Sequence, residues 1–220
     1  MEFKEIRWPE TIVIAGIGKS VGKSYAAGWL AREMTAAEHY VTTLKAVQTG
    51  SSDICDDIQI HRKIMNLTTN TFDLTRISSP CKFSRNAAPH IAAKMENDVV
   101  KVEMITEATR LLHKNYRHVL IEAAGGLMTP LKGDYLMIDY IGAEKLPAIL
   151  VVNGALGSIN DSLLSLYALA HYGIDIFGVI YNPHFDVKDK EIARETREYL
   201  KEWVLHHYPN TLWFEMPETL

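Results

Sequence analysis

TIVIAGIGKSVGKSYAAGWLARE, residues 11–33, reads as a β-branched apolar strand, a glycine-rich loop and an amphipathic helix in direct succession. A loop in that setting suits phosphate, because glycines let backbone N–H groups converge on oxygens and the start of the next helix carries partial positive charge. Gly16, Gly18 and Gly22 supply the close backbone approach, Lys23 can reach the outer phosphates, and the Ser24 hydroxyl can ligate Mg²⁺. Lys19, Ser20, Val21 and Tyr25 complete the stretch expected to surround the nucleotide. Five residues separate Gly16 from Gly22, one more than the four of the usual GxxxxGK[ST] pattern, so the loop is a long variant.

Outward from this unit, short apolar runs alternate with longer amphipathic segments. Strands are predicted at 11–15, 41–47, 118–122, 147–152 and 176–181, with a weaker one at 211–214. Helices are predicted at 23–36, 98–115, 159–172 and 187–207. The alternation predicts an α/β fold with a mostly parallel sheet flanked by helices, P-loop NTPase-like, in a single domain over 1–220. Residues 51–97 are less periodic, carry Pro80 and Pro89, and are expected to form loops and short helices over the sheet's carboxyl edge, where such folds bind ligands.

Composition narrows the partners. With 23 basic and 27 acidic residues there is no positive field to hold nucleic acid or an anionic membrane. No apolar run approaches the roughly 18 residues of a spanning helix, and MEFKEIRWPE lacks a secretory apolar core, so a cytoplasmic location is expected. Cys55 and Cys81 have no CxxC spacing and read as reduced thiols. The histidines, His61 and His90 among them, form no HExxH or triad pattern and read as structural or surface groups.

Several motifs follow one another in a recognisable order: GIGKSVGKS at 16–24, LKAVQTG at 44–50, FSRNAAPHIAA at 83–93, IEAAGGLMTPL at 121–131, VVNGALGSINDSLLS at 151–165 and GVIYN at 178–182. Together they resemble dethiobiotin synthetase, the ATP-dependent ligase of biotin biosynthesis, which shares the longer loop. The resemblance implies that CO₂ adds to an amine of 7,8-diaminononanoate, that the carbamate attacks the γ-phosphate of ATP, and that the second amine closes the ureido ring. It implies catalytic roles for Lys45 and Lys23, with Lys45 facing carbamate and γ-phosphate and the Thr49 hydroxyl holding substrate. Hard oxygen ligands for Mg²⁺ are expected from Ser24, Asp57 and Glu122, with Asp53 and Asp56 as the neighbours Asp57 must be told from.

In the family the helix start that Gly157, Ser158, Ile159 and Asn160 match comes from the second subunit of a homodimer and receives the substrate carboxylate. The Asn182 amide could read the adenine edge, and Pro217, in EMPE at 215–218, resembles a late segment that closes the adenine pocket. ATP, Mg²⁺, the diamine and CO₂ or bicarbonate are thus the expected ligands.

Four positions depart from the family pattern. Ser20 stands where several members are acidic, Ala46 replaces a proline, Ala123 replaces the first glycine of EGAGG, and Asp161 replaces a histidine. Ala123 is compatible with the loop only at negative φ. Asp161 would repel an anionic substrate if it faced the site. Two other functions are distinguishable. A nucleotide-switch ATPase of the partitioning and maturation class would carry a second lysine six residues before the main one, where this chain has Ile17. A sensor descended from the ligase would show no turnover.

Overall fold

The computed structural model describes residues 2–51 and 53–218. The strand β1 (Thr11–Gly16) is apolar throughout because both of its faces are covered. Ile12 and Ile14 pack with Ala26, Leu30 and Met34 of the helix α1 (Lys23–Ala36) on one side, while Val13 and Ala15 join the opposite layer. Then come β2 (Val41–Lys45), β3 (Val47–Thr49), α2 (Asp56–Ile64), α3 (Thr71–Leu74), β4 (Cys81–Phe83), α4 (Pro89–Met95), α5 (Val102–Leu112) and β5 (His118–Glu122). The second half adds β6 (Pro130–Lys132), β7 (Tyr135–Leu136), α6 (Met137–Ala143), β8 (Ala148–Asn153), α7 (Ser158–His171), β9 (Ile176–Asn182), α8 (Lys190–His207) and β10 (Leu212–Glu215).

Six strands form one parallel sheet in the order β10, β9, β8, β1, β5, β2. The chain departs to one side of β1 for β2 and β5 and to the other for β8 to β10. Such a reversal opens a crevice at the carboxyl ends of the central strands. Among the described residues, no helix is long and apolar enough to cross a membrane.

The structure redraws some element limits. The strand predicted over 41–47 breaks at Ala46, because β3 leaves the main sheet to pair in parallel with β4, Val47 against Cys81 and Thr49 against Phe83. The helix predicted at 98–115 contracts to α5, and α8 begins at Lys190, where Asp189 caps it by accepting from the Glu191 and Ile192 amides. The unperiodic stretch from 51 to 97 contains α2, α3, β4 and α4, with α2 packed against α1. That packing brings part of the stretch onto the phosphate loop's own helix.

Candidate active site

The first wall of the crevice is the loop between β1 and α1. Gly22 has φ of 90°, which L side chains rarely adopt, and a Cβ there would lie 2.2 Å from Asn182 Nδ2. Among the described residues no N-cap side chain bonds to α1, so its first N–H groups are available to an anion. Lys23 is buried and folds back so that Nζ donates to the Gly18 carbonyl at 2.6 Å. Burial and the nearby Lys45 charge lower its pKa to about 8, against the opposing pull of Glu122 and Asp57.

Strand register builds the second wall. β2 and β5 pair with Lys45 beside Glu122 and Thr43 beside Leu120, and alternation keeps Thr43, Lys45 and Glu122 on one face. Lys45 Nζ donates to Glu122 Oε1 at 2.7 Å and to Asp57 Oδ2 at 2.6 Å, and lies 3.3 Å from the Ala123 carbonyl. Ser24 Oγ donates to the same Glu122 Oε1 at 2.9 Å. Burial disfavours both charges, but the close pairing wins: Lys45 is raised above its ordinary value by Glu122 and Asp57, and Glu122 is held below the usual carboxylate range by Lys45 and His61. Of the three neighbouring acids, Asp53 and Asp56 are exposed while Asp57, in the first turn of α2, faces Lys45.

The remaining oxygen of Glu122 meets a group that the sequence reading had treated as structural or surface. His61 Nε2 lies 2.8 Å from Glu122 Oε2, and His61 Nδ1 lies 2.9 Å from Thr43 Oγ1. His61 is fully buried and stands directly behind the carboxylate. One signal was available: His61 follows Asp57 by four residues, one helical turn, so both project from the same side of α2. What that spacing could not reveal is that Glu122, 61 residues further on, would be the partner.

Lys19, Ser20, Gly22, Lys23, Ser24, Tyr25, Lys45, Thr49, Asp57 and Glu122 share one cleft of about 690 Å³, together with Asn86 and Phe185, which the sequence did not single out. Gly18 contributes the carbonyl that Lys23 holds, and Val21 is buried beneath the loop. Asn182 and Pro217 do not line this cleft. The Asn182 amide donates to the Val21 carbonyl at 3.1 Å and its oxygen accepts from the His184 N–H at 3.1 Å, so it braces the phosphate loop against the end of β9. Pro217 is exposed, one residue beyond Met216, whose N–H donates to the Tyr181 carbonyl at 2.9 Å.

Gly157, Ser158, Ile159 and Asn160 open α7 and are likewise absent from the cleft walls. The hydroxyls of Ser158 and Ser162 there are buried without a hydrogen-bond partner among the described residues. Asp161 is exposed and accepts from the Asn160 side chain at 3.1 Å.

The departures at Ala123 and Ala46 find local explanations. Ala123 is not among the residues with positive φ, and its N–H donates to the Ile14 carbonyl at 3.0 Å, so its methyl meets no conformational barrier. Ala46 donates its N–H to the Glu122 carbonyl at 3.0 Å, a bond a proline could not make.

The donors fit Mg²⁺. Glu122 and Asp57 already grip one cation, the Lys45 ammonium, and the Ser24 hydroxyl touches the same Glu122 oxygen. Among the described residues, no three acidic, imidazole or thiol groups form a self-sufficient metal cage. Mg²⁺ does not require one, since it usually keeps several waters and takes phosphate oxygens in nucleotide sites.

A parallel sheet, a glycine loop leading from its central strand into a helix, and a carboxylate ending the adjacent strand define a P-loop nucleotide-binding domain. The AAA domain family model matches residues 10–211. The fold is similar to that in the MinC:MinD cell division complex of Aquifex aeolicus, with TM-score 0.57 and 14% identity, covering 96% of this chain and 82% of that one. It is also similar to the signal recognition particle receptor FtsY of Elizabethkingia anophelis in complex with GDP, with TM-score 0.54 and 14% identity, covering 94% of this chain and 57% of FtsY.

Sequence relatives narrow the class. The chain is 38% identical over 200 residues to ATP-dependent dethiobiotin synthetase BioD 2 of Haemophilus ducreyi, covering 91% of this chain and 94% of the relative. It is 37% identical over 191 residues to ATP-dependent dethiobiotin synthetase BioD of Chlorobaculum tepidum, covering 87% and 80%. The chain belongs to the dethiobiotin synthetase family.

Proposed function

We propose that this chain forms dethiobiotin from 7,8-diaminononanoate and CO₂ with ATP and Mg²⁺. The observation that carries the reading is Lys45, a buried cation at the end of β2, held by Asp57 and Glu122 inside the cleft into which the phosphate loop opens. A group so placed can face both a transferring phosphoryl group and an anionic acceptor.

The chemistry divides as follows. One amine of the diamine takes up CO₂ as a carbamate. A carbamate oxygen attacks the γ-phosphorus, the β–γ bridging bond breaks, and ADP leaves. The second amine then attacks the carbonyl carbon, inorganic phosphate departs, and the loss of a proton leaves the ureido ring. Lys23 exchanges its contact with the Gly18 carbonyl for phosphate oxygens. Lys45 offsets charge on the oxygens between acceptor and phosphorus, and Thr49 on the same cleft wall offers a hydroxyl to the acceptor. Ser24, Asp57 and Glu122 would hold Mg²⁺, which when bound would supply charge neutralisation and alignment of the phosphates. Asn182 secures the phosphate loop that receives the nucleotide.

The substrate carboxylate is assigned to Gly157, Ser158, Ile159 and Asn160 of a second copy in a homodimer. The location of this helix start away from its own chain's cleft and the unpartnered Ser158 hydroxyl support that assignment. Sedimentation showing only monomer at assay concentrations would remove it.

The functional test is ADP release with Mg²⁺ and bicarbonate, with and without the diamine. Release that depends on the diamine supports the ligase. Diamine-independent release would indicate a switch ATPase, and the absence of turnover would indicate a sensor.

A further inference from the structure

Glu122 is unusual in having both oxygens assigned before any ligand arrives. Oε1 faces the cleft, where Ser24 at 2.9 Å and Lys45 at 2.7 Å reach it, while Oε2 faces the protein interior and His61 at 2.8 Å. An ionised carboxylate only accepts, so His61 Nε2 carries the donated hydrogen. Behind His61, Thr43 Oγ1 lies 2.9 Å from His61 Nδ1 and accepts from Arg62 Nη1 at 2.9 Å. Arg62 is in turn clamped by Asp73 through two hydrogen bonds of 2.9 and 2.8 Å. Every member of this chain, from Asp73 to Glu122, is buried. A fully connected polar chain in a packed interior holds its members in one orientation.

The backbone is arranged to permit the contact. Gly28 lies inside α1, where glycine costs roughly 1 kcal/mol against alanine. A Cβ at Gly28 would sit 3.1 Å from the His61 Cα and 3.1 Å from the Ile64 side chain. The missing side chain lets α2 lie close enough for His61 to reach through to β5.

We infer that His61 is a positioning residue that pins Glu122 Oε2, leaving Oε1 as the single oxygen the carboxylate offers a divalent cation and so favouring Mg²⁺ over larger ions. The physical basis is the difference in ligand habit. Mg²⁺ requires near-octahedral geometry with short single contacts, whereas Ca²⁺ accepts a carboxylate through both oxygens. A Glu122 free to turn would offer both. Partners that orient a metal ligand without touching the metal typically contribute about 10- to 100-fold in affinity.

The inference rests on the proposed role of Glu122 as a metal ligand, and the test separates the two. Mn²⁺ binding to the full chain with a non-hydrolysable ATP analogue is followed by electron paramagnetic resonance, and Mg²⁺ and Ca²⁺ are ranked by displacement of Mn²⁺. His61→Leu removes the donor. His61→Asn keeps a polar group near Thr43 but is too short for Glu122, which guards against a failure of the leucine variant to fold. His61→Gln retains a donor at about the right reach.

Leu and Asn are expected to raise the Mn²⁺ Kd about tenfold and to narrow the Mg²⁺ over Ca²⁺ preference, with metal-free nucleotide binding unchanged. Gln is expected to stay within about threefold of the parent. Parent-like Mn²⁺ affinity and ion preference in Leu and Asn, or a Gln variant no better than these two, would overturn the inference and leave His61 a packing residue. Glu122→Gln serves as the control: if it leaves Mn²⁺ affinity unaltered, the metal role of Glu122 falls, and the inference with it.

Discussion

Replacing Lys45 by glutamine removes a cation shared by Glu122 and Asp57, and the consequences can be worked out from their geometry. Lys45 Nζ is 2.6 Å from Asp57 and 2.7 Å from Glu122, with side-chain exposures of 8% for Lys45 and 1% for Glu122. Removing one partner of a buried pair leaves the other charge uncompensated, at a cost of roughly 3–5 kcal/mol. For a chain of this size, about 2–4 °C of Tm per kcal/mol gives a loss of roughly 6–20 °C in metal-free buffer.

The pH dependence follows from Glu122. Its carboxyl is held below the ordinary 4.5 in the folded protein, so it contributes stability above pH 4.5 that is lost as pH falls toward the folded value. Without Lys45 the largest favourable part of that contribution is lost, so the deficit of Lys45→Gln is full near neutral pH and narrows below pH 4.5. Mg²⁺ with ATP should recover part of it, because a divalent cation between the carboxylates replaces the missing charge. Turnover is a separate readout: ATP still binds, while ADP release falls at least about 100-fold, as on loss of a charge-stabilising donor. Calorimetric melting across pH and a coupled ADP assay check both arms. Unchanged turnover would remove Lys45 from the chemistry, and a deficit that grows toward low pH would refute the electrostatic reasoning.

Further outcomes concern other parts of the fold. Burial pushes the Cys55 thiol up to about 12 and the Cys81 thiol to about 11, whereas an unfolded thiol ionises near 9.0. Above pH 9 the unfolded chain therefore binds fewer protons, and each thiol lowers stability by about 1.4 kcal/mol per pH unit until its folded value is reached. Urea unfolding at pH 8 and pH 10 should show a shallower decline in the Cys55→Ala, Cys81→Ala double variant than in the parent; equal declines would count against thiol ionisation as the cause. Gly22→Ala places a methyl 2.2 Å from Asn182 Nδ2 at a φ of 90°, so nucleotide affinity should fall more than tenfold, measurable by isothermal titration. Gly28→Ala tests the close approach of α1 and α2. Helix propensity alone would raise stability by roughly 1 kcal/mol, but the contact with the His61 backbone should reverse the sign and lower Tm.

Much of the architecture was legible because it is written in short-range periodicity. The strand, loop and helix of residues 11–33 each depend on residues a few positions apart, and α1 spans the predicted 23–36. The apolar runs that became β1, β5, β8 and β9 announced strands covered on both faces, for which a parallel sheet with helices on each side is the natural packing. The break at Ala46 was not visible, since residues 41–47 are equally strand-like until β4 captures the last part.

What the tertiary structure alone decided is which distant groups meet. Lys45 and Glu122 are 77 residues apart and become neighbours because β2 pairs with β5 in one register. A slip of one residue would send Lys45 to the opposite face. The same assembly selects Asp57 from among three close acids, turns His61 from an inconspicuous helix residue into the partner of Glu122, and commits the Asn182 amide to bracing the phosphate loop. Sequence determines the local conformers and the chemical inventory. The pairing of charges in the cleft depends on strand order and helix spacing, which arise only when the whole core packs at once.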